Sequence, residues 1–222
     1  MFDFATLGLP YPTHIKRPYN VRSITVVTPP AGAPLDVATA KLQSRVIDTL
    51  EDSLVQIYLD AAQAIVEATI GRPLVQQTWR VQYDRFDNWI ILPGGSVSAV
   101  NSVSYVDENG VTQTMDPSQY QVDIKSVPAR ITPPIDGAFP YNSYWPWHAV
   151  VPGGVAVEYV VGAAPTTDTP PDYGANVPAP LRAAILLLAA DLYANREAGT
   201  PAALLENPAV DRLLFPYRSM QV

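Results

Sequence analysis

APLRAAILLLAADLYANRE, residues 179–197, is the most apolar stretch of this 222-residue chain. Its large aliphatic side chains recur every three or four positions, which is the spacing of one helix face. Pro180 suits the first turn of a helix, and Gly199 with Pro201 suits its end. We predict a helix over 180–198 with four core residues, which are Leu181, Ile185, Leu188 and Leu192.

This predicted helix is apolar on more than one side, as a membrane span, a core helix or a helix shared between subunits would be. Its uninterrupted apolar run extends only from Ala183 to Ala190. A membrane span needs about 20 apolar residues, so we expect no membrane-spanning role. The second face is covered either by the chain's own β module or by a neighbouring subunit, and the sequence leaves open which face meets that neighbour.

The chain before residue 75 is also predicted to be helical. Asp36 can cap a short helix over about 37–46, and Thr49-Leu-Glu-Asp52 has the form of a capping box. Gly71 with Pro73 then ends a longer helix. The apolar positions of that longer helix are spaced by three and four, and they are Leu54, Ile57, Tyr58, Ala61, Ile65 and Ala68.

The apolar period changes to two in the middle of the chain, which is typical of β-strands. Alternation is clearest over 155–161 and recurs over 79–83. Glu108-Asn-Gly110 stands between two β-prone runs, and Asn-Gly is the strongest short signal for a hairpin. Five or six short strands of this kind predict a small antiparallel sheet or barrel-like module.

We therefore predict an α+β fold, in which a helical domain of three to four helices carries an inserted small antiparallel β module. The expected parts are an extended N-terminal arm at 1–24, a helical domain at 25–74 plus 175–222, and the β module at 75–174. Within the module, the aromatic loop 135–152 is either functional or packed over the sheet. Packing is favoured because the rings of Trp and Tyr need burial.

The charge is unevenly distributed along the chain. The formal net charge is −7, and residues 1–24 carry Lys16, Arg17 and Arg22 against Asp3, which is +2, so the remainder carries −7 − 2 = −9. An acidic body disfavours a protein that coats nucleic acid. The three cations are candidates for contacts between the arm and a partner, the alternative being a terminus without fixed structure.

The sequence offers little that could perform catalysis. The chain has no cysteine and two histidines, His14 and His148, and neither histidine stands in a catalytic or metal-binding motif. The glycine pairs 94–95 and 153–154 lack the lysine and helix start of a phosphate loop. We expect no enzyme activity, no cofactor and no metal site.

Six stretches in order resemble one protein family, the head–tail connector (adaptor or head-completion) proteins of tailed phages and gene-transfer agents. The similarity extends over roughly residues 24–218, whereas residues 1–23 and the loop 141–148 depart from the pattern. The matching stretches are Thr28-Pro-Pro30, 69–79 (TIGRPLVQQTW), 102–110 with 116–122 (SVSYVDENG and DPSQYQV), 128–131 (PARI), 186–197 (LLLAADLYANRE) and 213–218 (LLFPYR).

The resemblance implies a structural virion protein of the neck that forms a ring, usually a dodecamer, beneath the portal protein. Such a ring extends the channel through which DNA passes without sequence-specific binding, and it carries the stopper or tail. The chain would be assembled in the bacterial host cytoplasm. Candidate subunit contacts are Tyr193, Asn195, Arg196 and Glu197, and candidate portal-docking residues are Leu213, Leu214, Phe215, Tyr217 and Arg218. We expect a chain without residues 210–222 to fold but not to join portal-bearing heads.

Two other interpretations remain open. The chain could be another neck or tail structural protein, such as a stopper, a tail terminator or a baseplate component. It could also be a carbohydrate-binding or hydrolytic module that uses Trp145 and Trp147 as a sugar platform. The sequence does not identify the particle, the stoichiometry, or the roles of the arm and the aromatic loop.

Overall fold

A computed structural model describes residues 21–134, 144–195 and 208–218 of the chain. Among these residues, 21–31 with 76–162 form one compact unit, and 32–75 with 163–195 and 208–218 form a second. The described strands lie in the first unit and the described α-helices in the second. This confirms the predicted α+β class, a helical part of four helices with a small antiparallel β module inserted in it.

The β unit contains two antiparallel sheets. Its strands are β1 Val21–Thr28, β2 Gln77–Tyr83, β3 Ile90–Leu92, β4 Val97–Val106, β5 Thr112–Thr114, β6 Gln121–Asp123, β7 Ala129–Thr132 and β8 Val155–Val161. The larger sheet has the order β1-β2-β8-β4-β5, and the smaller has the order β3-β7-β6. The central position of β8 explains its sequence, because a strand paired on both sides contributes one whole face to the core.

The predicted alternation in β8 is confirmed. Val155, Val157, Tyr159 and Val161 are all fully buried. The Tyr159 hydroxyl donates to the Pro93 carbonyl at 2.7 Å. Burial raises the pKa of Tyr159 well above its ordinary value, so the hydroxyl stays a donor. The buried polar atom therefore has its partner, as a close-packed core requires.

The predicted Asn-Gly hairpin is also present, between β4 and β5. The Asp107 carboxylate accepts from the backbone N–H groups of Asn109 and Val111, each at 2.9 Å. Gly110 has φ +78°, a left-handed conformation that glycine adopts without strain. Hydrogen bonds, above all from the Gln113 side chain, lower the pKa of Asp107.

The boundaries of the two units differ from the expected ones. Residues 21–28 are strand β1, which pairs with β2, so they belong to the β unit and not to an extended arm or to the helical domain. Residues 163–174 belong to the helical unit, where the Ala163 N–H bonds to the Leu74 carbonyl at 2.9 Å. Both differences arise from pairing between distant segments, which local periodicity does not report. Lys16 and Arg17 lie outside the described residues.

The helical unit is built around the stretch quoted first. Its helices are α1 Val37–Ser44, α2 Asp52–Ile70, α3 Ala179–Ala194 and α4 Pro208–Leu214. The α3 helix contacts each of the other three. From Pro180 to its end, only Asp191 and Ala194 are exposed on it. Helices of the chain's own helical unit therefore cover α3 on more than one side. The sequence left open whether the β module or a neighbouring subunit covers its second apolar face, and in the structure these helices do so.

The predicted core positions of α3 differ in their burial. Leu181 and Ile185 are fully buried, and Leu188 and Leu192 are half-buried. The smaller Ala184 and Ala189 take the remaining buried positions. Small side chains at these positions permit the close approach of a neighbouring helix.

The core face of α2 is not the stripe predicted from the sequence. Its buried residues are Val55, Leu59, Ala62, Val66 and Ile70, whereas Ile57, Ile65 and Ala68 of the predicted stripe are exposed. Both sets follow helical spacing, so α2 has two apolar faces and periodicity alone could not choose between them.

The ends of α1 and α2 agree only in part with the expected caps. The Asp36 carboxylate accepts from the Thr39 N–H at 2.8 Å, as predicted, and hydrogen bonds to Thr39 lower its pKa. The expected capping box at Thr49 is wrong, because Glu51 occupies the N-cap position of α2 and makes no side-chain cap bond. Gly71, with φ +71°, ends α2 as predicted.

The C-terminal segment is part of the helical core. Val210 and Leu214 are buried among the residues of α2 and α3. The Arg72 guanidinium lies 5.5 Å from the centre of the Tyr217 ring, a distance suited to cation–π attraction. Removal of residues 210–222 would expose apolar core surface, so we expect that truncation to lower the free energy of unfolding.

None of the helices in the described part of the chain is both long enough and apolar enough to cross a membrane.

The two faces of the helical unit can be tested with matched isoleucine substitutions. Ile185→Ala should lower the free energy of unfolding by about 2–5 kcal/mol, because it leaves a cavity in the core. Ile57→Ala should change it by at most about 0.5 kcal/mol, because Ile57 is exposed. Denaturant unfolding of the full chain measures both values, and equal costs would contradict the assignment of faces.

Glu67 predicts a pH dependence of stability. Burial raises its pKa above the ordinary value of 4.5, although the Leu74 N–H donates to its carboxylate at 3.0 Å. The folded state thus holds the proton more tightly than the unfolded chain, and stability is lost as pH rises from the unfolded pKa through the folded one.

We expect Glu67→Gln, which keeps an acceptor and removes the charge, to be more stable than the wild type at neutral pH. The gain should shrink as pH falls from the raised folded pKa toward the ordinary value of 4.5, below which both side chains are neutral. Unfolding measured at several pH values checks this, and a gain independent of pH would show that charge is not its cause.

Candidate functional site: assembly surfaces

His148, one of two histidines considered for chemistry, has a structural position. Its Nε2 accepts from the Phe86 N–H at 3.4 Å, and its Nδ1 lies 2.9 Å from the Pro146 carbonyl, so the ring proton is on Nδ1. Its ring meets the Phe86 ring edge-on at 4.9 Å. These contacts hold the loop around it. His14 lies outside the described residues.

The described residues do not assemble the ligands of a metal site: within 21–134, 144–195 and 208–218, no three His, Asp or Glu side chains are grouped to hold an ion. Each unit has a set of exposed apolar side chains that could contact a partner.

The first is the α1–α2 surface of the helical unit, which we define as Leu42, Ile47, Leu50, Ile57 and Ile65. All five side chains are exposed, and Ile47 is 96% exposed. They come from the end of α1, the connection that follows it, and the outward face of α2. Large aliphatic side chains grouped in this way are unusual on a protein that works alone.

Local hydrogen bonds and one ion pair fix the connection that carries this surface. Arg45 ends α1 in a left-handed conformation with φ 55°. The Lys41 ammonium lies 2.6 Å from the Asp52 carboxylate, which ties the end of α1 to the start of α2. The Leu50 N–H donates to the Asp48 carboxylate at 3.0 Å. The exposed side chains are therefore presented by an ordered turn.

The predicted subunit contacts at the end of α3 have partners inside the chain. The Tyr193 hydroxyl donates to the Glu51 carboxylate, and its ring packs edge-on against Tyr58 at 6.3 Å. The Asn195 amide donates to the Asp191 carbonyl at 3.0 Å and closes the last turn of α3. Arg196 and Glu197 lie outside the described residues.

The predicted portal-docking residues differ in exposure. Leu214 is a core residue, and Leu213 and Tyr217 are half-buried against the helical core. Phe215 is 73% exposed, and Arg218 is exposed with its guanidinium 2.7 Å from the Asp211 carboxylate. The side chains of this set that face solvent are therefore Phe215 and Arg218.

The second surface is the aromatic loop surface of the β unit, which we define as Tyr144, Trp147 and Val150. Trp147 is 90% exposed, although indole rings are usually covered. The other two residues are also exposed. Trp147 was expected to pack over the sheet, and that expectation is wrong.

Its neighbour Trp145 does pack, and it anchors the loop. The Trp145 ring stacks on Phe86 with the ring centres 4.5 Å apart, and its Nε1–H donates to the Asp87 carbonyl. Further along, the Ala149 N–H donates to the Val106 carbonyl at 2.9 Å. Because Phe86 covers one face of Trp145, the loop exposes Trp147 without Trp145, and the two tryptophans do not form a paired sugar platform. Residues 135–143 of the loop lie outside the described residues.

Arg22, the described member of the predicted arm contacts, lies at one end of β1. Its guanidinium is 3.5 Å from the Asp84 carboxylate, which also accepts from the Gly153 N–H at 2.9 Å. Arg22 therefore takes part in a contact inside the β unit.

No known family model matches the sequence. A search of curated proteins likewise gives no match.

Solved structures with a similar fold come from gene-transfer-agent particles. A chain in the neck of an empty particle, computed with C6 symmetry, has a TM-score of 0.66 and 23% identity, with 90% of this chain and 97% of that chain covered. A chain in the native virion has a TM-score of 0.66 and 22% identity, with 90% and 96% covered. A chain in the native neck, computed with C12 symmetry, has a TM-score of 0.65 and 22% identity, with 90% and 97% covered. The chain therefore shares its fold with these proteins over nearly their whole length.

The two tryptophans of the loop should respond differently to truncation. Trp145→Ala should cost roughly 2–3 kcal/mol of stability, less than the roughly 3–5 kcal/mol of a fully buried aromatic ring, because Trp145 is half-buried. Trp147→Ala should cost at most about 0.5 kcal/mol. Denaturant unfolding of the two variants measures both changes in the free energy of unfolding. A large loss of stability for Trp147→Ala would mean that this ring packs against the chain.

Proposed function

We propose that this chain is a structural virion protein of the particle neck, a head–tail connector (adaptor) that forms a ring beneath the portal. It extends the DNA channel and provides the platform to which the stopper or tail attaches. The observation that carries this proposal is the fold similarity to neck and virion chains, since it extends over 97% of the neck chains. The six connector-like stretches of the sequence support the same function independently.

The ring is proposed to be a dodecamer. Two of the similar chains belong to necks computed with C6 and C12 symmetry. Cyclic assemblies need apolar faces that a neighbour can bury, and the α1–α2 surface supplies apolar side chains of that kind.

The proposed connector has exposed side chains suited to two different partners. Phe215 and Arg218 near the C-terminus are the docking residues that we propose for the portal, with Tyr217 beside them. The aromatic loop surface is the contact that we propose for the stopper or tail. Trp and Tyr are frequent hot spots of interfaces, and a loop fixed before binding loses little conformational entropy.

The charge of the chain is compatible with a channel for DNA. The net charge is −7. Clustered Lys and Arg side chains would bind phosphates and release counterions, which would hold DNA in the channel. An acidic wall lets the duplex slide without sequence-specific contacts.

The alternative is another structural protein of the neck or tail, such as a stopper, a tail terminator or a baseplate component. The same fold similarity supports it, because the similar chains are described by their place in the neck or virion and not by their role. Enzymatic functions have no comparable support.

A reconstruction of particles that contain this chain tests the proposal. We expect a ring of twelve copies directly beneath the portal, with Phe215 facing the portal. Phe215→Ala should reduce the number of heads that carry the ring, whereas Val111→Ala, at an exposed position of the β hairpin, should not. A ring located at the tail end would favour the alternative, and particles that contain no copy of this chain would exclude both.

A further inference from the structure

The outward face of α2 is left uncovered by the helices of its own unit. Ile57 and Ile65 lie on this face beside exposed Ser53, Ala64 and Ala68. Small side chains between large ones let a second helix or loop approach closely. The outward face of α2 therefore has a shape against which a second helix or loop can pack.

Most of the exposed large apolar side chains of the helical unit come from α1, α2 and the connection between them. In its described residues, 32–75, 163–195 and 208–218, six large apolar side chains are exposed. Five of them form the α1–α2 surface, and the sixth is Phe215. Such concentration distinguishes a contact face from the scattered apolar residues that any surface carries.

The area of the surface fits one side of a stable interface. Fully burying a Leu or Ile side chain removes about 60–120 Å² of apolar surface from water, so five amount to at most on the order of 300–600 Å²; the available area is smaller because Ile57 and Ile65 are 62% and 44% exposed. One side of a standard interface covers about 800 Å², of which somewhat more than half is apolar. The surface thus provides most of the apolar part of one complete contact.

The composition of the surface favours a copy of the same chain as its occupant. The exposed large apolar residues there are all aliphatic and include no aromatic ring, and the exposed Arg45 and Asp48 lie in the same connection. Interfaces of permanent homo-oligomers are more apolar than those of transient complexes, which rely more on Tyr, Trp and Arg. The α1–α2 surface resembles the interface of a permanent homo-oligomer, and the aromatic loop surface of the β unit resembles that of a transient complex.

We propose that the α1–α2 surface is the ring contact, buried in the particle by a second copy of this chain. This inference rests on the proposed function, in which each copy has a neighbour on either side. A ring closes through two different faces of each subunit, so the α1–α2 surface meets another part of the next copy. In this proposal the α1–α2 surface, and not α3 as considered from the sequence, is the helical surface shared between subunits.

Because the chain has no cysteine, single thiols can test the contact. Ile57→Cys places a thiol on the surface, and Val111→Cys places a control thiol at an exposed position of the β hairpin. Maleimide labelling of the thiol at position 57 should be at least ten-fold slower in assembled necks than in the isolated chain. The rate for the control should stay within two-fold. A benzophenone attached at position 57 should then give a cross-linked product of two copies of the chain.

Charge substitutions provide a second measurement. Ile57→Asp and Leu50→Asp should each lower the number of copies per neck at least ten-fold, while the isolated variants keep the wild-type circular dichroism spectrum and unfolding midpoint. Val111→Asp should assemble normally. Normal assembly of both surface variants would overturn the proposal.

The labelling outcomes separate this inference from the proposed function. Rapid labelling of the Ile57→Cys variant in necks that contain the chain would overturn the contact and leave the function standing. Cross-linking of position 57 to a different protein would overturn the identity of the occupant. Necks without the chain would overturn the proposed function and this inference together.

Discussion

Burial of α3 against α2 is the interaction on which the rest of the structure depends, because it joins two chain segments that strands β2 to β8 separate. Leu181 and Ile185 on α3 lie in one core with Leu59 and Val66 on α2. Beside this core, Val75 and Ala163 form a parallel bridge immediately before and after the inserted unit. The segment 76–162, which carries β2 to β8, thus begins and ends beside one bridge of the helical unit.

The same packing determines which surfaces remain for partners. Since α1, α2 and α4 all contact α3, its apolar sides are used inside the chain. The apolar side chains of α2 recur in two helical stripes. One stripe packs in the core of the helical unit, and the other stays exposed. In the role that we propose, partners would bind such uncovered faces, and here they differ in kind: aliphatic on the helical unit, aromatic on the β unit.

The two exposed surfaces are both held by contacts that lie beneath or beside them. The Trp145 ring on Phe86 fixes the loop that exposes Trp147, and the Lys41–Asp52 pair fixes the turn that exposes Ile47. Such local order lowers the entropy cost of binding. A fold similar to neck chains is therefore combined with surfaces that are prepared for contact before any partner arrives.

The sequence by itself determined the fold class, the strand alternation of β8, the hairpin at Gly110, the C-terminal end of α2 and the start of α3, because these depend on local spacing and on residues with special backbone preferences. Only the tertiary structure decided which stripe of α2 is buried, that residues 21–28 pair with β2, and that Val210 and Leu214 are core. It also decided that Trp145 packs while Trp147 does not. For α2 two local patterns were equally regular, and in the other cases the contact is made with segments far away in the chain, whose approach no local period records.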